Sequence, residues 1–121
     1  MKKKILILDD DKDILDILAY MLSEEGYDIQ TSMHGEDIMA TIKGFAPDLI
    51  LIDLMLAGLD GRSICRAIKQ NPNTNHIPVI MITARPDLRP HPHDDNAPDD
   101  LIAKPFDINN VIKKVAKYIA A

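Results

Sequence analysis

The sequence predicts an α/β domain, a doubly wound parallel sheet with helices packed on both of its faces. Uninterrupted apolar runs only a few residues long recur along the chain, as expected of strands covered on both sides. Between them lie segments whose apolar residues return at helical spacing, and such strand–helix alternation winds into a parallel sheet. With 121 residues, 46% hydrophobic and 27% charged, the chain has room for one core in a single domain over residues 1–121.

Taken in order, Lys4–Leu8 reads as a strand buried on both faces. From Asp13 the spacing turns helical, with Ile14, Ile17, Leu18, Met21 and Leu22 on one stripe and Gly26 as the C-terminal stop. Residues 27–31 alternate like a strand. Residues 35–44 read as a second helix, with Glu36 and Asp37 near its positive end and Ile38 and Ile42 inward. Residues 49–52 form a fully apolar strand. Residues 62–70 form a helix with Ile64, Cys65 and Ile68 inward, ending before Asn71-Pro72. Residues 77–83 and 101–103 complete five strands. Asp107 can cap a last helix striped by Ile108, Val111, Ile112, Val115 and Ile119. Residues 85–98 break the rhythm, with prolines at 86, 90, 92 and 98 and no glycine. A proline inside a helix costs about 3 kcal/mol, so this segment reads as a long loop or a single turn. Loops of that length are usually functional or mobile.

Acidic residues outnumber basic ones 19 to 14, and only 4% of the chain is aromatic, with no Trp. Both the positive footprint and the stacking platforms of a nucleic-acid binder are missing, so no direct contact with nucleic acid is expected. The single Cys65 has no internal partner, and a lone thiol fits a reducing compartment. After Met1-Lys2-Lys3-Lys4 the apolar run stops at Leu8, too short for a signal peptide. No stretch approaches the roughly 20 apolar residues of a membrane span. The expectation is a cytoplasmic protein away from membranes.

In an open parallel sheet the strand-to-helix connections leave from one edge, where ligands bind. The first strand delivers Asp9-Asp10-Asp11 to that edge, the third Asp53, the fourth Thr83 and the fifth Lys104. The second ends in Ser32, which adds nothing distinctive. Carboxylates gathered in a cleft repel one another, and Mg2+ relieves the repulsion with carboxylates, a backbone carbonyl and water around it. Mg2+, a lysine and a threonine hydroxyl together suit a phosphoryl group. Asp53, alone at its strand end, can then act as nucleophile. Taken singly each residue has a plainer explanation: Asp11 or Lys12 stands where a helix cap is needed, Thr83 ends a strand, and Lys104 precedes a turn at Pro105. Their arrival at successive ends of one edge favours a site.

The segments Ile5-Leu6-Ile7-Leu8-Asp9-Asp10-Asp11, Leu49-Ile50-Leu51-Ile52-Asp53-Leu54-Met55-Leu56 running to Gly61, Met81-Ile82-Thr83-Ala84 and Ala103-Lys104-Pro105-Phe106 follow in this order. Over essentially the whole chain they resemble the receiver domain of two-component response regulators. The resemblance implies a flavodoxin-like fold with strand order 2-1-3-4-5. It implies that Asp53 accepts a phosphoryl group from a phosphohistidine on a sensor histidine kinase or histidine phosphotransfer protein, and slowly loses it by hydrolysis. It further implies that Asp10 ligates Mg2+ directly and Asp9 largely through water, with Asp53 and the backbone carbonyl of Met55 completing the protein's share. Thr83 and Lys104 would hold the phosphoryl oxygens, and the Lys104–Pro105 bond would be cis. Such a chain, either a stand-alone receiver or one cut from a longer regulator, is a signalling phospho-acceptor rather than an enzyme, and it switches binding to a downstream protein.

Three departures from the family pattern bear on output. Leu101 stands three residues before Lys104, where receivers usually carry Tyr or Phe. The family's fourth helix would fall within 85–98, where the prolines oppose it, and receivers commonly dimerise or signal through the surface it helps to build. Ala57 and Ala97-Pro98 replace the frequent Pro and Gly-Ala. The expectation is intact phospho-acceptance, an atypical output surface, and a monomer or weak dimer. Met55 and Arg85 lie two beyond Asp53 and Thr83, at positions that tune hydrolysis in similar domains. Apolar Met55 and bulky Arg85 are expected to hinder the attacking water. Two alternatives stand beside this reading. One is a haloacid-dehalogenase-type phosphatase, whose Asp-x-Asp-x-Thr motif lacks its threonine in Asp9-Asp10-Asp11-Lys12-Asp13. The other is a docking platform without chemistry. His91, His93, Asp94 and Asp95 carry metal-ligand chemistry, but a solvated loop is their plainer setting. His34 and His76 have no evident partner, and Cys65, Met21, Met39 and Met81 read as core.

Overall fold

The computed structural model describes residues 2–56, 58–88 and 94–120. Its main strands are β1 (Lys4–Leu8), β2 (Asp28–Ser32) and β3 (Leu49–Asp53), with a short hairpin of β4 (Met55–Leu56) and β5 (Leu59–Asp60), then β6 (Val79–Thr83) and β7 (Asp100–Ala103). The helices are α1 (Lys12–Glu24), α2 (Ile38–Phe45), α3 (Gly61–Gln70) and α4 (Ile108–Tyr118), and a 3-10 turn spans Pro86–Leu88. The five long strands pair in parallel in the order β2-β1-β3-β6-β7. With the hairpin set aside, this is the expected order 2-1-3-4-5.

Side chains alternate across a strand, so each apolar run feeds two cores. Leu6, Leu8, Ile50, Ile52, Val79 and Met81 pack under α2 and α3. Ile5, Ile7, Leu49, Leu51, Ile80 and Ile82 pack under α1 and α4. Covering both faces is why β1 past Lys4, and β3 and β6 before their last residue, carry no polar side chain. Each fully buried Leu or Ile contributes about 1.5–3 kcal/mol.

Several sequence expectations are adjusted. In α1, Leu18 and Leu22 are inward and Ile14 packs against the core as expected, while Ile17 is 53% exposed and Leu15 takes the buried place instead. Gly26 does end α1's turn, with φ of 99° and its N–H donating to Ser23 O at 3.0 Å. Tyr27 precedes β2 rather than opening it, and its buried ring sends a hydroxyl to Ile119 O at 3.0 Å. α2 runs over Ile38–Phe45, with Gly44 inside the helix and Ala46 taking the left-handed position at φ 53°. Glu36 and Asp37 therefore precede the helix. β6 begins at Val79, two residues later than expected. The β4–β5 hairpin has no counterpart in the sequence reading.

Within 85–98, the described residues form only the 3-10 turn and irregular turns, with no α-helix. Pro90, Pro92, His91 and His93 lie outside the described residues, as does Ala57. Leu101 is half-buried against the α2–α3 core. The Lys104–Pro105 bond is cis. Among the described residues, no helix is long and apolar enough to cross a membrane.

Candidate functional site

The ends of β1, β3, β6 and β7 meet at one rim because the strands are parallel and nearly in register, with Leu8 opposite Ile52, Asp53 opposite Ile82, and Thr83 opposite Ala103. The first residue past each apolar run is thereby delivered to the same place. The three aspartates after β1 go to different tasks. Asp11 caps α1, its carboxylate accepting from Asp13 N at 3.0 Å and Ile14 N at 3.4 Å. Asp9 turns inward, almost fully buried, and Asp10 stays exposed at the rim. Carboxylate oxygens of Asp9, Asp10 and Asp53 all lie within 4.8 Å of one another.

Lys104 supplies the countercharge. Its Nζ donates to Asp53 Oδ2 at 2.9 Å and to Asp9 Oδ2 at 3.1 Å. Burial pushes the Asp9 pKa up and the charge of Asp53 adds to the rise, against the Asp11 N–H and Lys104, so that it stands above the usual carboxylate range. Burial also works against the Lys104 charge, but its bonds to Asp53 and Asp9 outweigh this and hold its pKa above the ordinary lysine value. The second oxygen of Asp53, Oδ1, accepts from Met55 N at 3.1 Å. The Met55 side chain is 56% exposed.

Thr83 is fully buried at the end of β6. Its Oγ1 accepts from Arg85 N at 2.8 Å, and its carbonyl accepts from Lys104 N at 2.8 Å. The hydroxyl hydrogen is therefore left to donate to another acceptor. Arg85 itself is exposed and paired with Asp87 at 2.9 Å.

Gly61 shows how tightly the far side is built. Its N–H donates to Leu54 O at 2.7 Å, and a Cβ there would run into Asp53 O and stand 2.9 Å from Leu54 Cα. Only glycine lets α3 start against the backbone that carries Asp53. Asp60 and Arg62 on either side form a pair at 2.7 Å that the sequence reading missed. An Asp-Gly-Arg run at a helix start was the available clue.

The remaining candidates fall elsewhere. His34, His76, Asp94 and Asp95 are exposed. Cys65 is buried, its Sγ lies 3.5 Å from Asn96 O, and burial pushes its thiol up to about 11, which leaves it unreactive. Met81 is buried and Met39 packs against the same core.

Residues 5–116 match the response regulator receiver domain family. The chain is 36% identical over 113 residues to the DNA-binding dual master transcriptional regulator RpaA of Synechocystis sp., covering 93% of this chain and 47% of that protein. It thus spans about half the length of that relative. Among solved structures, a sensor protein from Polaromonas sp. JS666 superposes with a TM-score of 0.88 at 25% identity, covering 98% of this chain and 97% of the other. The signal receiver domain of a DNA binding response regulator protein from Colwellia psychrerythraea 34H gives 0.82 at 26% identity, covering 99% and 100%. The chain belongs to the response regulator receiver domain family of two-component signalling.

Proposed function

We propose that this chain is a phospho-accepting switch in which Asp53 takes a phosphoryl group from a phosphohistidine of a histidine kinase or histidine phosphotransfer protein. The observation that carries the reading is the convergence of the buried Asp53 carboxylate, Lys104 Nζ at 2.9 Å and two further aspartates on one rim. An Asp53 oxygen attacks phosphorus, the P–O bond forms as the P–N bond breaks, and the electron pair leaves on the imidazole nitrogen, which is reprotonated from solvent. Phosphoryl transfer needs positioning and charge neutralisation more than covalent assistance. Lys104 and the free hydrogen of Thr83 supply both from this chain.

The donor set also suits a hard cation. Three carboxylates with oxygens inside 4.8 Å, two of them buried, offer the oxygen ligands Mg2+ prefers. Asp9, Asp10, Asp53 and the carbonyl of Met55 would hold it, and when bound it supplies positive charge to the phosphoryl oxygens. The chain acts as a signalling module rather than an enzyme turning over a pool of substrate, and its place is the cytoplasm. Residues 1–121 form one receiver domain, a monomer or weak dimer. The lack of an α-helix among the described residues of 85–98, together with Leu101, supports an output surface of its own toward a downstream protein. Met55 and Arg85 at the rim slow hydrolysis.

The test is to incubate the protein with a small acyl-phosphate donor and Mg2+, then weigh the intact chain beside Asp53→Asn. One added phosphoryl group on the parent and none on the variant is expected. Turnover of the donor that depends on Asp9 with no covalent gain would point to a phosphatase. No reaction at all would leave only a docking platform. Either result overturns the proposal.

A further inference from the structure

We infer that Arg62 is a positioning residue for phosphoryl capture, pinning the turn that fixes the Thr83 hydroxyl to the hairpin that fixes the Asp53 carboxylate. The inference rests on the phospho-acceptor reading above. Arg62 lies in the first turn of α3 and its guanidinium does two things at once. Nε donates to both Asp60 oxygens at 3.1 Å and Nη2 to Oδ2 at 2.7 Å, while Nη1 crosses to Leu88 O at 3.0 Å. A planar fork can hold a carboxylate and a carbonyl together, where an ammonium serves as a point charge.

From each end of this fork a short path leads into the site. On one side Asp60 pairs with Met55 across the β4–β5 hairpin, and Met55 N–H donates to Asp53 Oδ1 at 3.1 Å. On the other, Leu88 N–H donates to Arg85 O at 3.0 Å, and Arg85 N–H donates to Thr83 Oγ1 at 2.8 Å. Asp53 and Thr83 are thereby joined by a chain of hydrogen bonds and one strand pairing outside the pocket, with Arg62 as the link between its halves. The link matters because Arg85 N–H, held at one of the two Oγ1 lone pairs, restricts the Thr83 rotor and leaves its hydrogen for a phosphoryl oxygen. Arg85 leads into the turn Pro86–Leu88, with no α-helix behind it among the described residues. The half-buried Leu88 side chain keeps a second foothold on the core, so losing Arg62 loosens the turn without detaching it.

The experiment follows the rate of phosphorylation by a small acyl phosphate with Mg2+, read by intact mass, together with the Arg85 amide by NMR. Arg62→Gln should slow phosphorylation about three- to tenfold, the scale of a misplaced rather than deleted donor. The slowing should vanish in a Thr83→Ala background, because no hydroxyl remains to be positioned. The Arg85 amide should shift and exchange faster. Arg62→Lys keeps the charge and the stem but not the fork. It should behave like Arg62→Gln, and it carries the test should the glutamine variant fold poorly. Unchanged rates, an equal slowing without Thr83, or an unmoved Arg85 amide would each overturn the inference. The amide readout needs no phosphorylation, so failure of Asp53 to gain a phosphoryl group strikes the proposed function alone.

Discussion

Replacing Lys104 with methionine tests whether its ammonium is what allows two buried carboxylates to coexist. Nζ lies 2.9 Å from Asp53 and 3.1 Å from Asp9, whose side chains are 8% and 1% exposed. At an effective dielectric of about 20, each attraction is about 5–6 kcal/mol. Repulsion between Asp9 and Asp53, at 4.8 Å or less, is about 3.5 kcal/mol on the same scale. Attraction wins while Lys104 is present, and repulsion stands alone without it. Methionine keeps most of the apolar stem, and the ammonium no longer has to be desolvated, so part of the loss is returned. Breaking a buried pair in this way costs about 3–5 kcal/mol net. For a domain of this size that lowers Tm by roughly 12–20 °C in chelator at pH 7. Thermal and urea unfolding, in chelator and in saturating Mg2+, make the assay. A bound divalent cation restores positive charge beside the same oxygens, so the gap between variant and parent should narrow by half or more in Mg2+. Adding Asp53→Asn to Lys104→Met should recover most of the loss in chelator. A variant as stable as the parent in chelator, or a gap indifferent to Mg2+, would refute the reasoning.

Two further outcomes are expected. Burial would raise the Asp100 pKa, but the Leu101 N–H and Lys114 outweigh it and hold the carboxyl below its ordinary value of 3.8. A depressed carboxyl contributes stability above its unfolded pKa and loses it as pH falls through the folded one. Asp100→Asn should therefore cost about 1 kcal/mol at pH 7, with the two urea midpoints converging as the pH falls through the depressed folded pKa of Asp100. Met55→Asn replaces an exposed thioether beside Asp53 with an amide that can hold water. It should speed loss of the phosphoryl group several-fold after donor removal, as measured by decay of the added mass, and an unchanged decay would count against Met55 as the obstacle.

What the sequence made legible was what local pattern controls. Lys4–Leu8 and Leu49–Asp53 are buried on both faces, and a run of apolar residues with no alternation announces that directly. Asp53 and Thr83 could be placed at the rim because parallel register carries the last residue of each such strand to one edge. Helix faces and ends were less legible. Ile17 and Leu15 are equally apolar, and only the packing of α1 on β1 and β2 decides that Leu15 turns inward. α2 passes through Gly44 because Ala46 accepts the left-handed position, a tertiary outcome that overrides glycine's preference for it.

The least legible region is the one where the chain departs from its family, and there the tertiary structure compensates for what the local sequence withholds. A connection with no α-helix among its described residues leaves backbone carbonyls that need partners from elsewhere. α3 supplies two of them from one row at helical spacing, where Arg62 reaches Leu88 O at 3.0 Å and Cys65 Sγ approaches Asn96 O at 3.5 Å, and on the same row Lys69 pairs with the Asp99 carboxylate at 2.7 Å. In the sequence these residues are a guanidinium, a lone thiol and an ammonium on an ordinary amphipathic helix, each with a blander explanation. Their contacts exist only once β6 and β7 are paired and Leu88, Asn96 and Asp99 are brought against α3. Because α3 begins at Gly61 against the backbone of Asp53, the helix that holds Leu88 and Asn96 is also the one seated on the strand that carries Asp53.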